Sequence, residues 1–392
     1  MIRKRHLVLT AVLTAIVVWA VTSAFFVGIR IFDSEDSLLR ARQIIIDNYV
    51  DPLTDEQITK LNDAAISAMV YSLGDQYSSY LNAEDFSSYQ EDKKESYKGI
   101  GVSVNFNYET GALTVISPYD GSPAQKAGVL PGDVITKVGD RVVDATTYDA
   151  VIDYIKNGED EEFTLSILRG EETLSVTVHR EVVKRQSVAY KMLAEDVGYV
   201  RVSEFMHNTK EDFQSALDDL KSQNMQGLII DLRNNPGGYA DTVIDMTDSL
   251  LPKGVIAYLE DSHGRKQYFH SDDEALDLPM VVLINQGTAS ASELLAGSLK
   301  AHGLATIIGE KSYGKAVGQS VHPLSGTTAI YLTNSRYFTP NGDCIDGIGI
   351  EPDIKVTLAE ELMGNLSLLE PEEDAQLTKA LEVIRGKIAT QE

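Results

Sequence analysis

Of the 392 residues only one, Cys344, is a cysteine, so no disulfide can form within the chain and stability has to come from packing. Basic residues are also scarce: 34 lysines and arginines face 59 acidic residues, a formal charge of -25. Such a surface repels phosphate backbones and excludes nucleic acid as a partner. The seven histidines contain no His-Glu-x-x-His pair or other metal-ligand spacing, and a lone cysteine builds no thiolate site. Neither a metal nor a cofactor is expected. No Gly-x-Ser-x-Gly elbow occurs, which weighs against a histidine triad, although His302 or His322 could serve a distant serine. There is no internal repeat and no low-complexity tract.

What is present begins with one uncharged apolar run, Leu7 to Ile29, about 23 residues long and sufficient to cross a bilayer core of about 30 Å. Arg3, Lys4 and Arg5 precede it and Asp33, Glu35 and Asp36 follow, so the run is expected to anchor the chain with its bulk exported. The alternative is a cleaved signal peptide ending near Ala24, which would leave a secreted protein.

The remaining length accommodates two to three folded units. Residues 31–96 carry apolar positions at helical spacing, such as Leu38, Leu39, Ala41, Ile44 and Ile45, and form an expected helical lead-in. Between residues 97 and 183 strands are expected at Leu113–Ile116, Val134–Val138, Phe163–Leu168 and Leu174–Val178. Ser122, Pro123 and Gly128 spell a one- to two-turn helix, and Thr147 is the expected cap of a second one ending at Gly158. This stretch resembles a PDZ domain, with Gly99-Ile100-Gly101-Val102 at the place of the loop that takes a peptide's terminal carboxylate. Closely spaced glycines let backbone N–H groups converge on an anion.

From residue 184 to 358 apolar strands alternate with helices, as in an α/β core. Val255–Leu259, Val281–Ile284, Thr306–Ile308 and Ala329–Leu332 are the expected strands, with helices over residues 240–251 and 291–300. The tail from 359 to 392 is acidic and helical in pattern. Leu377, Leu381, Val383 and Ile384 are available there for an oligomer face, such as that of a homodimer, or for a solvated helix.

Ser290 opens a helix after the apolar strand Met280–Ile284, and Lys315 and Gln319 follow on the next strand and turn. A serine hydroxyl is a poor nucleophile until a neighbour takes its proton, and a lysine whose ammonium is disfavoured by burial can do so. Bringing a lysine from about 10.4 to about 7–8 requires roughly 4 kcal/mol of environmental bias. The free N–H groups at the helix start favour an anionic intermediate; Ala291 and one glycine of the Gly237-Gly238 turn, either of the two, are the candidate oxyanion donors.

Together, Asp231 to Gly238, Thr288 to Glu293, Gly314-Lys315 with Gln319, and Tyr337 to Gly342 before Gly347 to Asp353 resemble the carboxyl-terminal processing peptidases, or tail-specific proteases. The resemblance implies a multidomain mixed α/β fold: a helical N-terminal region, a PDZ domain and an α/β protease core of ClpP/crotonase-like type. It also implies a serine endopeptidase acting on proteins with accessible C-termini, with Ser290 as nucleophile, Lys315 as base and Gln319 orienting the lysine. Two departures stand out, Ala316 after the lysine and Gly318 before the glutamine, where the family reads Gly-Lys-Gly-x-Val-Gln. Arg169, near the end of a PDZ strand, is a candidate for sensing bound peptide by exchanging ion partners. A catalytically inactive PDZ adaptor and an acyl-thioester enzyme of crotonase-like architecture are the alternatives.

Overall fold

Five consecutive apolar residues, Met280–Ile284, offer no polar face to solvent, and in the computed structural model they form a strand buried along its whole length. The structure describes residues 18–19, 34–94, 96–107, 110–119, 121–193, 196–272, 275–359, 362, 366 and 371–390. That strand is central in a six-stranded sheet ordered Val188–Met192, Val197–Val202, Gly227–Asp231, Met280–Ile284, Ala305–Gly309, Ile354–Lys355. The first pair is antiparallel and the rest are parallel. Parallel neighbours need crossovers, supplied here by helices Thr209–Ser222, Ala240–Asp248 and Ala291–Ala301.

Residues alternate along the central strands between two cores. Leu228, Ile230, Val282 and Ile284 pack with Phe213, Leu217, Val243, Met246, Leu295 and Leu299 of those helices. Ile229, Val281, Leu283 and Ile308 pack instead with Leu377, Ala380 and Ile384 of helix Ala375–Ile388. The expected oligomer face of the tail is therefore corrected. Leu377 and Ile384, at 4% and 0% exposure, lie inside the chain's own core, and Leu381 and Val383 pack partly against it. Periodicity marks an apolar face without saying what covers it.

Upstream, strands Val102–Asn107, Ala112–Pro118, Val134–Val138, Glu162–Arg169 and Glu172–His179 form a second sheet in that order. They enclose a separate core containing Leu113, Val115, Ile135, Leu165 and Ile167. Helix Pro123–Lys126 starts as its composition predicts: Ser122 accepts from the Gln125 N–H at 3.2 Å, proline takes the first turn, and Gly128 follows at φ +81°. Helix Tyr148–Asn157 differs from expectation at its start. Thr147 makes no side-chain cap, because its hydroxyl donates to the Val142 carbonyl at 2.7 Å, and Asp144 accepts from the N–H groups of Thr146 and Thr147.

The chain divides into two compact units, one running to Phe86 and including Val321–Leu332, the other comprising Ser87–Ser320 and Thr333–Glu392. In the first, the expected helices are Ser34–Asn48 and Asp55–Tyr71. Thr54 and Gln57 exchange bonds at the start of the second helix, forming a capping box. Strand Ser79–Leu81 pairs with Ala329–Tyr331. Among the described residues no helix is long and apolar enough to cross a membrane. The expected anchor and the cleavage site near Ala24 lie, apart from Val18 and Trp19, outside the described residues.

Candidate active site

Two turns leave the carboxyl ends of neighbouring parallel strands, where open α/β sheets place their ligands. One follows Gly227–Asp231 and carries Gly237 and Gly238; the other follows Met280–Ile284 and carries Ser290. They are stitched together by side chains. Asn285 accepts from the Asn234 N–H at 2.8 Å and donates to the Asn234 side chain at 2.7 Å. The Asn235 carbonyl accepts from the Ala289 N–H at 2.9 Å and from the Ser292 hydroxyl at 3.0 Å.

Ser290 has φ 57° and ψ -118°, a conformation that costs a non-glycine residue energy and has to be held by its surroundings. The path is that of a strand-to-helix nucleophile elbow, reached without the flanking glycines of the usual motif. Room comes from the neighbouring turn: a Cβ on Gly237 would lie 2.8 Å from the Ser290 Cβ. The elbow is tied on both sides, its carbonyl by the Tyr337 hydroxyl at 2.9 Å and its N–H by the Glu293 carboxylate at 2.9 Å.

Glu293 is the residue that sequence reasoning left without a role. One carboxylate oxygen accepts from the Ser290 N–H and from the Lys315 N–H at 2.8 Å. The other accepts from the Ser312 hydroxyl at 2.5 Å and the Gly314 N–H at 2.7 Å. A single buried carboxylate thus holds the serine turn and the lysine loop together. Burial pushes its carboxyl above the ordinary value, while these four donors pull in the opposite direction. In sequence, a glutamate three residues into a helix reads as a cap, and its other donors lie on a distant loop.

Lys315 is half-buried beside Gly314, whose φ of +89° leaves no space for a Cβ, which would meet the Gly349 nitrogen at 2.7 Å. The two departures from the family pattern fit locally. Ala316 is fully buried, with its N–H on Asp346 at 3.1 Å and its carbonyl on the Tyr337 N–H at 3.0 Å. A Cβ on Gly318 would lie 2.6 Å from the Ser335 hydroxyl. The Gln319 amide donates to the Thr333 hydroxyl at 3.2 Å and to the Val317 carbonyl at 3.4 Å.

The glycine turn separates its two candidate donors. The Gly237 N–H donates to Asn235 at 2.9 Å, and its carbonyl accepts from the Phe205 N–H at 2.8 Å. A trans peptide then directs the Gly238 N–H away from Phe205. A Cβ on Gly237 would be 3.0 Å from the Ala291 nitrogen, so the turn borders the first N–H of helix Ala291–Ala301. Donors arranged in this way can stabilise negative charge on an oxygen beside Ser290. His302 is bound to the Val255 carbonyl at 2.8 Å and caps the far end of that helix, about 18 Å from Ser290 at about 1.5 Å per residue. His322 belongs to the other compact unit.

Behind the glycine turn lies a buried ionic network. Asp231 accepts from Arg233 at 2.9 and 2.6 Å, from Arg201 at 3.2 Å and from the Tyr199 hydroxyl at 2.7 Å. Arg233, fully buried, also donates to Asp374 and Gln376 at 3.0 Å each, at the start of helix Ala375–Ile388. Burial pushes the Asp231 carboxyl up, but the charges of Arg233 and Arg201 outweigh it and hold the group well below the usual carboxylate range.

At Gly99–Val102, the Ile100 and Gly101 carbonyls accept from the Ala124 and Tyr119 N–H groups, both at 2.9 Å. Gly101 has φ +70°, and a Cβ there would overlap Ser122. Ile100 and Val102 border a groove of about 390 Å³ together with Tyr148 and Ile152, and Arg185 and Glu204 line it from the core side. Arg169 is placed elsewhere. Its guanidinium grips Asp133 at 2.7 and 2.8 Å and the Gly128 carbonyl at 2.8 Å.

Comparison with known proteins agrees with this arrangement. Residues 196–356 match the profile of Peptidase family S41, and residues 114–169 that of the PDZ domain. A carboxy-terminal-processing protease of Bartonella bacilliformis is 36% identical over 370 residues, covering 84% of each chain. A probable CtpA-like serine protease of Staphylococcus aureus is 34% identical over 301 residues, 76% of this chain and 60% of that one. Among solved structures, a photosystem II D1 C-terminal processing protease superposes with a TM-score of 0.52 at 27% identity, covering 88% of this chain and 93% of the other.

Proposed function

The chain belongs to the carboxy-terminal-processing serine proteases of peptidase family S41 and carries a PDZ domain; from that premise we propose a Ser-Lys mechanism for it. The Ser290 hydroxyl attacks the scissile carbonyl while the Lys315 amine takes its proton, and the same proton passes to the leaving amine as the peptide bond breaks. Gln319 orients the lysine. The Gly238 and Ala291 N–H groups receive the oxyanion, with Gly237 shaping the turn instead of donating. Water then hydrolyses the acyl-enzyme. The observation that supports this reading most directly is the Glu293 carboxylate, which binds the backbone N–H of Ser290 and of Lys315 through one oxygen.

The substrate's C-terminal tail occupies the groove as an added strand, its carboxylate meeting the backbone of Gly99, Ile100, Gly101 and Val102. Arg169 responds to that binding through its ion pair with Asp133. Leu7–Ile29 anchors the chain in a membrane as a single span, with the protease on the extracytoplasmic side. The test is turnover of an unstructured peptide by Ser290→Ala and Lys315→Ala. Both variants are expected to fold and bind the tail but not to cleave. Wild-type-like cleavage by either would refute the mechanism, and an adaptor would neither cleave nor take an active-site label.

A further inference from the structure

Gly237 and Gly238, at φ +107° and +144°, are adjacent residues with the least intrinsic stiffness a chain can have. The turn they form must be held from its flanks. On the backbone, Phe205 does this from both directions: its N–H donates to the Gly237 carbonyl and its carbonyl accepts from the Tyr239 N–H, each at 2.8 Å. The first side chain after the glycines is Tyr239, and its ring is gripped as well. His207 stacks on it at 3.7 Å between centroids and 21° between planes. The Lys93 ammonium lies 4.9 Å from the Tyr239 ring centre and 4.3 Å from that of Tyr89.

Lys93 therefore sits between two rings, one on helix Ala83–Asp92 and one at the end of the oxyanion turn. A cation over an aromatic face is worth about 0.5–1 kcal/mol where solvent reaches it and more where it does not. We propose that Lys93 is a positioning residue for peptide cleavage: by fastening Tyr239 to Tyr89, its ammonium fixes the glycine turn that presents the Gly238 N–H. The proposal rests on the reading of Gly238 as an oxyanion donor. Lys93 touches no reacting atom, so its removal affects the chemical step and leaves ground-state binding alone.

The experiment is steady-state cleavage of a short unstructured peptide by the full chain. Lys93→Gln is expected to lower kcat roughly fivefold with KM and melting temperature unchanged, and Lys93→Arg to restore it. Tyr239→Leu is expected to lower kcat similarly, and the double variant Lys93→Gln/Tyr239→Leu to fall no further. An unchanged kcat in Lys93→Gln, a loss confined to KM, or additive losses in the double variant would overturn the proposal. Failure of the active-site reading is told apart by Ser290→Ala, which would then still turn over whatever Lys93→Gln did.

Discussion

Glu293 shows how one side chain can join two sequence motifs that share no local pattern. Its four partners are all donors, so each would lose an acceptor if the carboxylate were replaced. Glu293→Gln keeps the shape but turns an NH₂ toward one pair of donors, at a cost of about 2 kcal/mol for buried groups left unmatched. Urea unfolding of that variant should therefore show a lower midpoint with an unchanged slope, and kcat should fall alongside. A variant with full stability and full kcat would mean that the four bonds do not hold the site. At this scale Ser290, Lys315 and Gln319 could be singled out from the sequence because each lies in a motif, and the roles proposed for them await the variants described above. Glu293 received no role from the sequence, because its second pair of partners comes from the distant Ser312 and Gly314. The sequence offered Gly237 and Gly238 as an unresolved pair, and in the structure the Gly237 N–H is taken by Asn235.

Among the elements, those that reported themselves were the ones whose residues satisfy local rules. The Met280–Ile284 strand, the Ser122-capped helix and the face of Val151 and Ile155 on Tyr148–Asn157 all follow from period and cap chemistry. Strands Lys266–Ser271 and Val317–Pro323 were missed, since their mixed polar sequences carry no apolar run and their pairing comes from neighbours. The tail helix was recognised as amphipathic, but its partner, the chain's own sheet, is set by tertiary contacts alone. What fastens that helix is equally non-local. Arg233→Ala would leave Asp374 buried without its cation and Asp231 with Arg201 alone, a loss of about 3–5 kcal/mol that equilibrium denaturation can measure. Asp231 adds a pH dependence. Its folded value lies below the unfolded one, so its stabilisation is complete above the ordinary 3.8 and is lost as pH falls below that point. The denaturation midpoint of the wild type should drop on acidification through that range, and less steeply in Asp231→Asn.

For the whole molecule, the groove and Ser290 lie in one compact unit, and segment Ser203–Met206 runs from the groove to the glycine turn. Ser203, Glu204 and Met206 line the groove, while Phe205 bonds the glycine turn. A tail held by its carboxylate should bind more weakly when that carboxylate is amidated. Loss of charge-assisted bonds worth roughly 1.5–3 kcal/mol corresponds to at least a tenfold rise in Kd, readable by fluorescence anisotropy. Equal affinity for acid and amide would show that the loop does not read the terminus.

The most direct test of the central claim is covalent labelling of the full chain with a fluorophosphonate, with the modified residue mapped by mass spectrometry. The account predicts a single adduct on Ser290 in the wild type and labelling slowed by orders of magnitude in Lys315→Ala. An adduct on another residue, or undiminished labelling of Ser290 without the lysine, would contradict it.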